Sequence, residues 1–169
     1  MDALQEALSR LNPDLWRYAE EPLPIRWIPL FQVTTTGLWL GLDISGVWVI
    51  GRINGAVATA ASDVLSQVWV TILELEVDVL DSKLRDAVLR YELPTPLPAL
   101  PIPEILQLAL ATRRRHWVDR ALAWLDRYPA SVETTNLLKE VSRSHRIGQA
   151  NRHKAEKIIR RLGEMPNSQ

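Results

Sequence analysis

Leu38-Trp39-Leu40-Gly41-Leu42-Asp43-Ile44-Ser45-Gly46-Val47-Trp48-Val49-Ile50-Gly51-Arg52-Ile53-Asn54-Gly55 alternates short apolar runs with compact turn signals. Leu38–Asp43 is followed by the turn residues Ser45 and Gly46. Val47–Ile53 is followed by Asn54-Gly55, and a further short run, Ala56–Thr59, comes after it. Asn-Gly between apolar segments is a strong hairpin signal, because both residues tolerate the positive φ of a type I′ turn. The stretch therefore predicts an antiparallel meander of at least three strands. Within it Leu38, Leu40 and Leu42 share one face, with Trp39 and Asp43 on the other, and Trp48 and Ile50 alternate with Val47 and Val49. Both faces carry apolar residues, so a helix on one face would leave tryptophans available on the other.

Upstream, Leu4, Ala7, Leu8 and Leu11 recur at helical spacing and predict a short amphipathic helix that Asn12-Pro13 ends. Asp14–Glu20 reads as a further helical turn with Trp16 on its apolar side. Pro29 lies inside the apolar run Ile25–Val33, which demotes that run to an edge strand or irregular segment needing cover. Downstream, no Gly or Pro interrupts Ser62–Glu92, and Val64, Leu65, Val68, Trp69, Ile72 and Leu73 repeat at helical spacing, followed by Val79, Leu80, Leu84, Ala87 and Val88. Helix is the favoured reading, with a break near Leu73–Asp81. The strict alternation of Leu73–Val79 keeps a strand open there.

Residues 93–103 contain Pro94, Pro96, Pro98, Pro101 and Pro103, so neither a helix nor a central strand crosses them. A PxxP ligand is one reading. A strap packed on the surface is the other, favoured by Leu97, Leu100 and Ile102. Beyond it every pattern is helical: Glu104–Thr112, His116–Arg127, a helix capped by Ser131 burying Val132, Leu137, Leu138 and Val141, and Gln149–Leu162 with Gly163 as its C′ glycine. Brief connections make these two antiparallel pairs. The expected fold class is α+β: a small antiparallel β-meander with covering helices over 1–92, the proline-rich strap 93–103, a helical bundle over 104–163, and a frayed tail over 164–169.

The 169 residues suffice for a sizeable core, and 47% hydrophobic with 24% charged residues is the balance of a folded chain. Seven tryptophans are the compositional outlier and suggest core anchors plus one exposed surface. The absence of cysteine excludes disulfides, thiolate metal sites and cysteine nucleophiles. With no signal-like N-terminus and no apolar run of membrane length, the chain reads as cytoplasmic, with no membrane partner.

Zero net charge hides a division: residues 1–100 carry 7 Lys/Arg against 13 Asp/Glu, and residues 101–169 carry 13 against 7. Such asymmetry fits an anionic partner for the basic half, or two halves that attract one another within a monomer or across a homodimer.

No catalytic residue, cofactor or metal site is expected. His116, His145 and His153 match no compact ligand spacing. Ser45 lacks the strand-elbow-helix context of a hydrolase nucleophile, and Gly51 and Gly55 are too isolated to cradle a phosphate. The chain thus reads as non-enzymatic. Two binding surfaces are candidates. Trp39, Asp43, Trp48, Glu74, Glu76 and Asp78 form an acidic, tryptophan-bearing surface for a basic protein partner, with Glu74 and Asp78 repelling on one helix face until a partner relieves them. Arg143, Arg146, Arg152, Lys154, Lys157, Arg160 and Arg161, with Arg113–Arg115 further back, suit nucleic acid phosphates or an acidic protein surface.

Arg26–Phe31, RWIPLF, followed by GLWLGLD at 37–43 and VWVIGRINGAVATAASDVLSQV at 47–68, resembles part of the SMI1/KNR4, or SUKH, superfamily. There a Trp-hydrophobic-Pro-hydrophobic segment leads into a strand ending in an acidic residue, a turn, another strand and a helix. Residues 104–162, particularly 116–125 and 149–162, look like HEAT-like helical repeats. These resemblances imply a binding protein. Bacterial SUKH proteins are often immunity proteins that neutralise toxins, many of them nucleases, so the implied function is a protein-interaction module of immunity type facing a basic toxin. Nucleic-acid binding through the C-terminal helices is the alternative.

Overall fold

The computed structural model describes residues 3–20, 24–55, 58–61 and 65–164. The chain is α+β and divides into two compact units, residues 1–100 and 101–169, so the boundary falls inside the proline-rich segment.

In the first unit, helix α1 (Ala3–Arg10) and a short 3-10 turn (Pro13–Leu15) precede five antiparallel strands that pair in sequence order: β1 (Arg17–Ala19), β2 (Ile25–Gln32), β3 (Leu38–Asp43), β4 (Trp48–Arg52) and β5 (Ala58–Ala60). Two expectations are corrected here. Residues 17–19 are a strand, not a helical turn, because Arg17, Tyr18 and Ala19 pair with Trp27, Arg26 and Ile25. The run holding Pro29 is an internal strand and not an edge, and the irregularity that was the other expectation there is present. Its β1 partner reaches only Ile25–Trp27, and the β2–β3 register shifts between Pro29 and Phe31, so the missing proline N–H falls where the ladder is already broken.

Both hairpin turns are fixed locally. One carboxylate oxygen of Asp43 accepts from Ser45 N–H (2.9 Å), Ser45 O–H (2.7 Å) and Val47 N–H (2.8 Å), while Gly46 adopts φ 84°. In the next turn Gly55 N–H donates to Arg52 C=O, so the central residues are Ile53 and Asn54, and neither has positive φ. The expected type I′ turn at Asn54-Gly55 is therefore replaced by one with glycine in the fourth position, where type I turns favour it. Ala56 and Val57, the expected start of the third strand, lie outside the described residues.

The register puts Ala19, Ile25, Trp27, Gly41, Val49, Gly51 and Ala58 on one face of the sheet. Trp27 is fully buried there. A Cβ on Gly41 would stand 2.8 Å from the Trp27 ring, and one on Gly51 would stand 3.1 Å from it. Small residues thus clear room for an indole around which the sheet curls, far enough that β2 also touches β5. Enclosing a side chain of this size contributes on the order of 4–6 kcal/mol before entropy is counted. The opposite face presents buried Ile28, Phe31, Leu40, Leu42, Trp48 and Ile50.

The helical span breaks within Leu73–Asp81, where the break was expected. A 3-10 helix covers Gln67–Glu74 and buries Trp69, Val70, Ile72 and Leu73, where residues three apart align. Leu75 and Glu76 are extended, and α2 (Val77–Tyr91) follows and packs on β2. The strand alternative at 73–79 is not realised, and Ser62, Asp63 and Val64 lie outside the described residues. After α2 the proline-rich chain is a strap on its own unit: Trp48 Nε1–H donates to Pro98 C=O at 2.9 Å.

The second unit holds α3 (Ile102–Ala111), α4 (Arg115–Trp124), α5 (Val132–Arg143) and α6 (Gln149–Glu164). Ser131 caps α5 as expected, its Oγ accepting from Thr134 N–H at 3.1 Å. Val132 at that helix start is exposed, not buried, and Gly163 lies within α6, not beyond it. Helix α3 contacts α4 and α5, while α6 contacts α5 and α4. Two helical hairpins are therefore stacked, first helix on first and second on second. Ile105, Leu106, Ala109, Leu110, Val118, Ala121, Leu122, Leu138, Val141, Ala155 and Ile158 fill the space between them. Among the described residues no helix is long and apolar enough to cross a membrane.

Candidate anion-binding surface of the helical unit

The acidic, tryptophan-bearing surface expected on the first unit is broken up. Trp48 is buried, 3% exposed, because the strap crosses it and takes its indole N–H. Asp43 is committed to its own turn through three hydrogen bonds. Glu74 ends the 3-10 helix, Glu76 precedes α2 and Asp78 lies in its first turn, so the expected repulsive pair on one helix face does not exist. Asp78 instead stands where a negative charge favours a helix start. Trp39 alone among the expected tryptophans keeps partial exposure, in a cleft of about 240 Å³ with Phe31, Lys83, Asp86 and Arg90.

The basic residues of the second unit are differently placed. Helix α6 buries Asn151, Ala155 and Ile158 against its neighbours and exposes His153, Glu156, Lys157, Arg160 and Arg161. On one side His153, Lys154, Lys157 and Arg161 line a cleft of about 400 Å³ with Asp126. On the other, Arg160 lines a groove of about 430 Å³ with Lys139, Arg143 and Glu156. Lys157 and Arg160, three residues apart and both exposed, join the two along the outer ridge. Arg161 is a brace: its guanidinium donates to the carboxylate of Asp126 at 3.3 Å and to Leu125 C=O at 2.8 Å, tying α6 to the end of α4. Lys154, Lys157, Arg160 and Arg143 make no ion pair among the described residues. Among the residues that line the two clefts with them, the carboxylates are Asp126 and Glu156.

A second basic group lies at the hairpin turns. Arg113 is paired with Glu140 at 2.7 Å, which joins the start of the α3–α4 turn to α5. Arg115, first residue of α4, places its guanidinium beside Gly148, the residue before α6. Arg143 and Arg146 flank the α5–α6 connection, and Arg152 stands in the first turn of α6. The seven basic residues named from sequence therefore belong to one unit, but they divide between the α6 ridge, a brace and the hairpin end.

Reading the sequence missed Asn151. The signal was present: a polar residue four before Ala155 and seven before Ile158 sits on the apolar stripe of its helix. Among the described residues no group of three or more His, Asp or Glu is placed to hold a metal ion. No family model, no curated protein and no solved structure matches this chain.

Proposed function

We propose that the chain is a non-enzymatic binding protein whose helical unit holds a nucleic acid backbone. The observation that carries this reading is the α6 ridge, where Lys154, Lys157 and Arg160, with Arg143 across the groove, present cations that no carboxylate pairs among the described residues. Cations along one helix are a footprint for phosphates, which carry no sequence information, so the binding is to backbone, not to sequence. The test is binding of labelled duplex and single-stranded DNA and RNA at low ionic strength. Wild type binds all of them weakly and without sequence preference, and Arg152→Glu/Lys157→Glu/Arg160→Glu binds none. Failure of every nucleic acid to bind the wild type, or equal binding by the variant, defeats the proposal.

A second reading, a protein-interaction module of the immunity type, is favoured by Trp39. Its indole is partly exposed and lines a cleft with Phe31, Lys83, Asp86 and Arg90, the kind of anchor a protein partner fills. The surface that supports this reading is narrower and less acidic than the sequence led us to expect. Recovery of a stoichiometric protein partner from the native host by wild type, and its loss in Trp39→Ala, supports it. Equal recovery by both proteins sinks it.

A further inference from the structure

We infer that the nucleic acid this unit fits is B-form duplex DNA, with α6 laid in the major groove and a row of cations turned to each strand. The inference rests on the nucleic-acid reading above and names the partner for that same surface.

The cations stand on both flanks of one helix. Lys154, Lys157 and Arg161 line the cleft on the α4 side of α6. Lys139 and Arg143 of α5, with Arg160 of α6, line the groove on its other side. Lys139 and Arg143 are four residues apart, so they share a face of α5, and both are exposed. Each flank sets three Lys or Arg side chains against one carboxylate, Asp126 on the first and Glu156 on the second, and Asp126 is already engaged by Arg161.

The two rows are separated by the thickness of the helix between them. An α-helix with its side chains is about 10–12 Å across. The major groove of B-form DNA is about 12 Å wide, admits an α-helix, and is bordered by the phosphates of both strands. Seated there with His153, Lys157 and Arg160 inward, α6 turns one flank to each strand. From Lys154 to Arg161 the helix rises about 10 Å, the length of about three nucleotides of one strand, so a flank meets two to three phosphates. A single strand offers one line of phosphates and follows either flank without spanning both. The A-form RNA duplex has a deep, narrow major groove that does not admit the helix. Charge density alone favours either duplex over a single strand, so comparing DNA with RNA separates shape from charge.

The test uses the full chain and fluorescence anisotropy with a short DNA duplex, its separate strands and an RNA duplex of the same sequence, all without terminal phosphates, across a range of salt. Duplex DNA binds at least about fivefold tighter than the RNA duplex or either strand. Lys139→Gln/Arg143→Gln removes one row without disturbing a buried side chain. It lowers the salt slope for duplex DNA by about two and brings DNA and RNA duplexes within about twofold of each other. Lys154→Gln/Lys157→Gln, acting on the opposite flank, does the same. Single strands lose no more than about twofold in either variant, because the other flank remains. Equal affinity for the two duplexes, or a preference for DNA that survives both double variants, overturns the inference and leaves the nucleic-acid reading standing. Absence of binding to every nucleic acid overturns both.

Discussion

The Arg115 guanidinium lies against Gly148, its Nε 3.8 Å and its Cζ 3.9 Å from where a Cβ on that glycine would stand. This contact brings the α3–α4 turn to the α5–α6 turn and so puts two uncapped helix starts at one end of the stacked hairpins. A side chain at 148 meets only ordinary van der Waals contact, so Gly148→Asp is accommodated. It supplies the missing N-cap and raises stability by a few tenths of a kcal/mol, about the difference between glycine and aspartate at such a position. Thermal unfolding that is unchanged or slightly improved is the expected result. A Gly148→Asp protein that unfolds at a clearly lower temperature than wild type contradicts it.

Trp27 and its two glycines form the core of the curled sheet. A Cβ at Gly41 would stand 2.0 Å from the Ile28 carbonyl oxygen, a backbone atom that cannot step aside. Gly41→Ala therefore costs about 3 kcal/mol or more in urea unfolding, and Trp27→Ala costs about 3–5 kcal/mol through the cavity it leaves. A Gly41→Ala protein with wild-type stability would show that the strands do not approach as closely as described.

Asp43 is expected to matter for folding. Asp43→Ala removes the acceptor of three hydrogen bonds in the β3–β4 turn and costs about 1–3 kcal/mol. Nucleic acid binding by the folded variant stays at the wild-type level. A change in stability below about 0.5 kcal/mol would mean that the turn forms without it.

Backbone recognition has a salt signature. If the α6 ridge contacts about four phosphates of a duplex, log K falls with log salt with a slope of about −3 to −4, and each single change such as Lys157→Ala or Arg160→Ala reduces that slope by about one. Binding that is insensitive to salt would exclude this mode.

Much of the fold was legible because its signals are local. Alternation in Leu38–Asp43 and Val47–Ile53, the Asp43–Gly46 turn, and the Ser131 cap each depend on residues within a few positions. What escaped depends on distant partners. Residues 17–19 are a strand only because Trp27 and its neighbours pair with them. Pro29 is tolerated inside the sheet because the ladder is interrupted beside it. Trp48 looked available on a sheet face, but the strap residue that takes its N–H lies fifty positions on. In the helical unit the basic residues were visible and their division was not. Arg161 became a brace because the end of α4 offers it Asp126 and Leu125. Asn151 acquires meaning only once α4 is known to lie across from it.

The most direct test of the central claim is a map of which residues respond to nucleic acid. A short single-stranded oligonucleotide lacking a terminal phosphate is titrated into isotopically labelled protein at low salt, and the backbone amide shifts are followed. The account predicts that the responding residues centre on His153, Lys154, Lys157 and Arg160 of α6, with Lys139 and Arg143 beside them, and that the response disappears in Lys154→Glu/Lys157→Glu. An undisturbed spectrum, or shifts confined to residues 1–100 with α6 unmoved, would contradict it.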